Sequence, residues 1–249
     1  MASSIGIRVF GRLLALALAV MPAASLADVP DPPEVAYPTL PAHAVAAAGF
    51  VPAGWAIETK LSGDLNGDGV ADLVLVLHDH DKANVLANPD GPGEKTIDTN
   101  PRILVVALGQ KGGGFDLAVQ NHMLIPRHID PDVEDYLDKV TIQRGAIHVE
   151  MHVFMSAGGW GAGNTSYVLR YQSGRLEMIG YDSQSVQRNT GETNDVSINY
   201  ATGKVKLTTG TIDDSKPTKV TWRAVPAGKR PSIDEIGDGI DFDPGVAPR

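Results

Sequence analysis

The chain contains no cysteine, which excludes a disulfide scaffold, a thiol nucleophile and the lipid-modified cysteine of a lipoprotein anchor. Cations are also in deficit, 21 Lys plus Arg against 30 Asp plus Glu, for a formal net charge of -9. With no basic cluster along the sequence, a phosphate backbone meets net repulsion, and no nucleic-acid partner is expected. No apolar run approaches the roughly 20 residues needed to cross a bilayer as a helix, so no membrane span is expected. No period of about 20 to 50 residues recurs, which argues against a complete propeller or solenoid. What remains, 43% apolar and 20% charged over 249 residues, is the composition of a globular chain.

The N-terminus supplies the compartment. Arg8 and Arg12 precede an apolar stretch from Leu13 to Val20, and Ser25-Leu26-Ala27 places small residues at both cleavage positions. This is the form of a secretory signal peptide over 1–27, with cleavage after Ala27 and delivery to the periplasm or the exterior of a bacterium. Loss of the two leader arginines leaves 19 cations against 30 acids, a net charge of -11.

Residues 28–41 carry Pro30, Pro32, Pro33, Pro38 and Pro41 and read as a linker or surface-hugging arm, because proline removes backbone donors and biases its neighbours toward extended conformations. His43 to Gly49 is Ala-rich and is the one short helix expected. From there to residue 225 the pattern is that of a single β-rich domain. Leu73 to Leu77 and Ile103 to Leu108 are unbroken apolar runs, as in strands covered on both faces. Later segments alternate: Ile147, Val149, Met151 and Val153 against His148, Glu150 and His152; Tyr167, Leu169 and Tyr171; Val205 and Leu207 against Lys204 and Lys206; Val220 and Trp222 against Thr221 and Arg223. Such alternation predicts a sheet with one wet face. Gly112-Gly113-Gly114, Arg144-Gly145, Ser173-Gly174 and Thr202-Gly203 lie between strand-like runs as hairpin turns. The fold class is therefore all-β, an antiparallel meander. Residues 79–101 are expected to be an exposed excursion, and residues 226–249 an acidic, proline-containing and loosely held tail.

The most specific feature is Asp64-Leu65-Asn66-Gly67-Asp68-Gly69-Val70-Ala71-Asp72. Oxygen side chains stand at loop positions one, three, five and nine, and a glycine at six. Calcium takes about six to eight oxygen ligands at roughly 2.3 to 2.6 Å, and alternate residues of a tight loop can point oxygens inward while Gly69 makes the turn. Asp64, Asn66, Asp68 and Asp72 would supply side chains and Val70 its carbonyl. Three carboxylates around one point repel by roughly 1 to 4 kcal/mol per close pair, which a divalent ion relieves. The absence of thiolate and imidazole disfavours zinc, and magnesium prefers a smaller, wetter octahedral shell. Leu75 occupies the twelfth position, where an EF-hand places a bidentate Glu, and the following residues read as strand.

Gly63 to Leu73 resembles the calcium loop of FG-GAP or VCBS-type repeats of integrin-like β-propellers, in which such a loop leads directly into a strand. The Ile103 to Asn121 run, with Gly109, three further glycines and Phe115, resembles the rest of such a repeat, so about 60 residues are covered. The resemblance implies Ca2+ as ligand of Asp64, Asn66, Asp68, Val70 and Asp72, and a propeller-blade-like sheet in the N-terminal half. Only one loop of this kind is present, so propeller closure is not implied. Val51-Pro52 to Trp55 and Ser156-Ala157-Gly158-Gly159-Trp160-Gly161 are also similar to secreted bacterial proteins that carry a single such loop, a likeness that implies no activity.

Catalytic constellations are thin. His148, Glu150 and His152 share one strand face, and His78 and His80 would complete a transition-metal site if their strand lay alongside; the same alternation is what any wet strand shows. The glycine-rich Ser156 to Gly163 lacks the third glycine and the helix of a phosphate cradle. No G-x-S-x-G elbow occurs, and nothing singles out a glycosidase pair among the many acids. Asn164-Thr165-Ser166 has the form of a glycosylation acceptor, which a bacterial-style leader makes fortuitous. The leading expectation is a secreted or periplasmic, non-catalytic calcium-binding β module with structural calcium and an unidentified protein or envelope partner. A metal-dependent hydrolase built on His148, Glu150 and His152, and a cell-envelope structural or assembly factor, are the alternatives.

Overall fold

The computed structural model describes residues 31–213, 215–225 and 230–246; the leader expected at 1–27 lies outside the described residues. The strands in chain order are β1 (His43–Ala44), β2 (Trp55–Gly63), β3 (Asp72–Asp79), β4 (Val85–Ala87), β5 (Thr96–Asp98), β6 (Arg102–Gly109), β7 (Phe115–Asn121), β8 (Leu137–Gln143), β9 (Ala146–Phe154), β10 (Gly161–Gln172), β11 (Arg175–Gln187), β12 (Glu192–Asn199), β13 (Lys204–Thr211) and β14 (Lys219–Ala224). They form an all-β, antiparallel structure. One sheet has the order β1-β7-β6-β3-β2, a second runs β14 to β8 in unbroken sequence order, and β4 and β5 form a small ribbon. Within the first sheet β2, β3, β6 and β7 make a four-stranded meander like a propeller blade, widened at one edge by β1.

The unbroken apolar runs explain how the two sheets meet. Val74, Val76, Leu104 and Val106 face the second sheet and pack with Ile147, Val149, Met151, Tyr167, Leu169, Ile198, Val205 and Leu207 in one buried cluster. The alternate residues Leu73, Leu75, Leu77, Ile103, Val105 and Ala107 point the other way, under a cover of Leu40, Ala44, Ala47 and Phe50. Successive side chains of β3 and β6 therefore enter different cores, and both cores demand apolar residues. The second sheet has only one buried face, which is why its strands alternate.

The turn chemistry is as expected at two hairpins. Gln143 pairs with Ala146 and Gln172 with Arg175, so each connection is two residues long. Arg144 and Ser173 accept positive φ of 53° and 54° beside glycines that do the same, as the mirror-image turn of a tight hairpin requires.

Four expectations are corrected. The Ala-rich segment is helical only at its end: His43–Ala44 pairs with β7, and Ala47–Phe50 forms a single turn of 3-10 helix. Its small residues let the backbone lie flat on the first sheet, with Ala44, Ala47 and Phe50 buried. The 79–101 excursion is not simply exposed, because Ile97, Asn84, Asn88, Thr99 and Asn100 are buried, and Arg127 Nε donates to the Thr99 carbonyl at 2.7 Å. Val220 and Trp222 do not face the core. Trp222 is in register with Lys206, on the solvent side of β13, and both apolar residues are exposed; β14 is an edge strand, where alternation no longer reports burial.

Finally, within the expected tail the described residues 230–246 are not loose. They form the one-turn helix α1 (Ile233–Ile236), whose first turn is closed by Ser232 N donating to Glu235 Oε2 at 2.7 Å. Ile233, Ile236 and Val246 join the inter-sheet core. Phe242 packs edge-on against Tyr167 and Tyr181, and the buried Tyr167 hydroxyl donates to the Gly239 carbonyl at 2.7 Å. At the start of the described chain, Gln120 bonds both the Leu40 amide and the Pro38 carbonyl.

Candidate metal centre

The Asp64–Asp72 loop joins β2 to β3, and its two ends differ in character. At the base, Asp72 is fully buried. Its Oδ2 accepts the Leu65 amide at 2.7 Å and its Oδ1 the Gly109 amide at 2.8 Å, so one carboxylate joins the loop to the end of β6. Gly109 has to be glycine for this contact: a Cβ there would stand 2.3 Å from the Ala71 carbonyl oxygen. Leu65 turns inward and is buried in the inter-sheet core.

At the tip, Asp64, Asn66 and Asp68 are exposed. Asp64 Oδ1 and Oδ2 accept the amides of Gly67 and Gly69 at 2.7 and 3.0 Å. Asn66 Oδ1 accepts the Asp68 amide at 3.0 Å, and Asp68 Oδ1 the Val70 amide at 2.7 Å. Gly67 and Gly69 take φ of 81° and 82°, which only glycine adopts without strain. The side chains thus organise the turn through its own backbone. Among the described residues no three His, Asp or Glu side chains gather closely enough to hold a metal ion. The donor set nonetheless fits a hard cation. Each carboxylate oxygen bonded to an amide retains further lone-pair capacity, and Asn66 and Asp68 lie on the same solvent-open tip.

The loop's position matters as much as its chemistry. Gly63, just before it, lies close to Ile142 of β8, and Gly145 in the β8–β9 turn approaches the Asp64 carbonyl. The nine-residue turn therefore sits where the first sheet abuts the second.

The histidine-bearing face is assembled differently from a metal centre. His148, Glu150 and His152 do share the solvent face of β9. Glu150 is held by Lys139 at 3.0 Å, and His152 lies between Glu134 and Asp138, with Nδ1 2.9 Å from Asp138 Oδ1 but out of hydrogen-bond alignment. Burial pushes the His148 pKa down, against the opposing pull of Glu150. His78 lies in β3 of the other sheet and His80 just past its end, with ring centroids 5.3 Å apart. Burial, then Arg102, depresses His78, while Glu58, Asp98 and His80 are its further charged neighbours. The structure does not bring these two histidines to His148, Glu150 and His152.

Sequence reasoning missed the ion cluster around Arg102. Its guanidinium is buried and makes two forked contacts: Nε and Nη2 to Glu58 at 2.7 and 2.9 Å, and Nη1 and Nη2 to Asp135 at 2.9 and 2.6 Å. Burial opposes the charge, but these bonds outweigh it and hold the Arg102 pKa above its usual value. Burial likewise works against the Asp135 carboxylate, and Arg102 overcomes it, leaving its pKa below the ordinary range. Glu58 sits at the bulge in β2 and Asp135 on the approach to β8, so one arginine pins the first sheet to the second. The signal in the sequence was a lone arginine at the head of an apolar run. No protein-family model, no curated protein and no solved structure matches the chain.

Proposed function

We propose that the chain is a secreted or periplasmic, non-catalytic β module in which the Asp64–Asp72 loop binds calcium as a structural ion. The observation that supports this reading is an all-oxygen donor set on a glycine-shaped turn whose base, through Asp72 and Leu65, is built into the inter-sheet core. Asp64, Asn66, Asp68 and Asp72 would offer side-chain oxygens and Val70 its carbonyl, and water would complete the shell. Three carboxylates against one divalent ion leave a charge of about -1, compatible with calcium in an acidic protein. The bound ion would stiffen the turn that abuts the β8–β9 hairpin, so its effect would be read as stability of the joined sheets.

The test is thermal unfolding with calcium, with magnesium and with chelator at matched ionic strength. Free calcium at about 100 times Kd adds roughly 2.7 kcal/mol, worth about 5 to 10 °C in a domain of this size. The titration must extend into tens of millimolar, because extracellular sites can be as weak as about 1 mM. Asp68→Ala, an exposed change, is expected to abolish the calcium shift and leave the metal-free melt nearly unmoved. Equal melts with calcium and with chelator over that range would overturn the reading.

A further inference from the structure

The solvent face of the second sheet is laid out in cross-strand rows. One row runs Glu150, Ser166, Asp182, Ser197, Lys206 and Trp222 from β9 to β14. Its charge is polarised. At the β8–β9 end Glu134, Asp138 and Glu150 surround a trough, and the part beside Glu134, Asp138 and His152 has a volume of about 850 Å³. Asp182 and Asp195 lie on the middle strands, and at the other end the solvent face of β13 carries Lys204 and Lys206, while β13 and β14 have no acid. Trp222 stands 63% exposed there beside a 48% exposed Val220.

We infer that this face is the interface between two copies of the chain, related by a two-fold axis that lies in the interface along β11. β11 is the middle strand of the seven, with three on either side. An axis along it lays β14 of one copy over β8 of the other and β13 over β9. An axis across the strands would instead stack the lysine-bearing strands on each other. In the favoured arrangement Lys206 opposes the second copy's Glu150, which shares its row. Glu150 is only part-covered by Lys139 and remains open to a further cation. Trp222, which otherwise has no cover, falls on the second copy's Lys139, the β8 member of the same row, at the margin of the trough.

The area is adequate. Seven strands about 4.8 Å apart, each about eight residues at about 3.3 Å, make a face of roughly 800 Å², the area that each partner contributes to a standard-size stable interface. The arrangement also closes on itself, as an isologous contact must. It carries one unfavourable element: Asp182, on the central strand, meets its own symmetry mate. None of these contacts involves the Asp64–Asp72 loop, so the inference is independent of calcium.

The experiment is sedimentation equilibrium of the purified chain from about 1 to 200 µM, with and without calcium, at low and at about 0.5 M salt. A dimer is expected that weakens in high salt, as opposed charges require. Lys206→Glu should weaken it by about tenfold or more, since it places like charges across the interface, and Glu150→Lys in the same chain should restore it. Asp182→Asn should tighten the dimer, an effect that a non-specific association would not reproduce. All three positions are on the solvent face, and circular dichroism melts confirm that the variants fold. A chain that stays monomeric to 200 µM, or a dimer indifferent to Lys206→Glu and Asp182→Asn, overturns the inference. So does capture of a monomer on anionic lipid vesicles through Lys206 and Trp222, which would assign the same edge to a membrane surface.

Discussion

Replacing Asp72 by alanine separates the two roles of the loop, because this carboxylate belongs to the fold before it belongs to any ion. The side chain is fully buried and accepts amides from Leu65 and Gly109, which come from the loop and from the far end of β6. Its removal leaves two N–H groups in a site that water does not reach, each costing about 1 to 3 kcal/mol. The expected loss is therefore about 2 to 6 kcal/mol, out of the roughly 5 to 15 kcal/mol typical of a whole domain. At about 2 to 4 °C per kcal/mol for this chain length, the melt should fall by about 5 to 20 °C in the absence of any metal. Asp72→Asn keeps one acceptor and should fall about half as far. Asp68→Ala is the control, since its amide partner at Val70 lies on an exposed turn where water can substitute. Calorimetry of the three variants in chelator decides the matter. If Asp72→Ala melts within about 2 °C of Asp68→Ala, the carboxylate does not bridge the loop to β6 and the account of the loop base fails.

Two further outcomes follow from the charged groups between and around the sheets. Arg102→Ala should cost about 2 to 4 kcal/mol by urea unfolding, somewhat below the value for a wholly buried pair because Glu58 and Asp135 are 31% and 43% exposed and water can recover part of their charge. Arg102→Lys, which cannot make two forks, should recover less than half of that. The melt should also fall with acid. Burial holds the folded-state pKa values of His78 and His148 below the ordinary value, so their contribution is complete above about pH 6.5 and is lost as pH drops through the lower folded values. Asp135, whose pKa Arg102 depresses, adds a second loss, beginning below about pH 4. A melting temperature that rises between pH 7 and 5, or a His78→Gln, His148→Gln double variant with an undiminished slope, would contradict this assignment.

How much of this was legible in the sequence depends on whether the information was local. The runs Leu73 to Leu77 and Ile103 to Leu108 announced strands with two covered faces, because the neighbours on both sides are apolar whatever those neighbours are. Arg144-Gly145 and Ser173-Gly174 announced tight hairpins, because the required backbone angles are a property of the turn itself. The all-β class and the meander within each sheet follow from these. The division of the described strands into a five-stranded sheet, a seven-stranded sheet and a two-stranded ribbon did not appear, since the break after β7 is made by contacts rather than by any residue type. The orientation of Val220 and Trp222 was misread for a related reason: alternation gives the two faces of a strand but not which of them has a neighbour. In the candidate site, the oxygen-bearing positions 64, 66, 68 and 72 were plain from spacing. The burial of Asp72 against Gly109, 37 residues away, was not, and neither was the Arg102 pairing with Glu58 and Asp135.

The docking of residues 233–246 over Tyr167 and Tyr181 has a consequence for biogenesis. The core between the sheets has its cover encoded after all the described strands, so each of these can be synthesised while the aromatic floor is still wet. Cooperative closure waits until Ile233, Ile236, Phe242 and Val246 have emerged. A chain stalled or clipped before that point would present an unsealed, apolar cup to chaperones and proteases, and quality control would have a simple criterion for completeness.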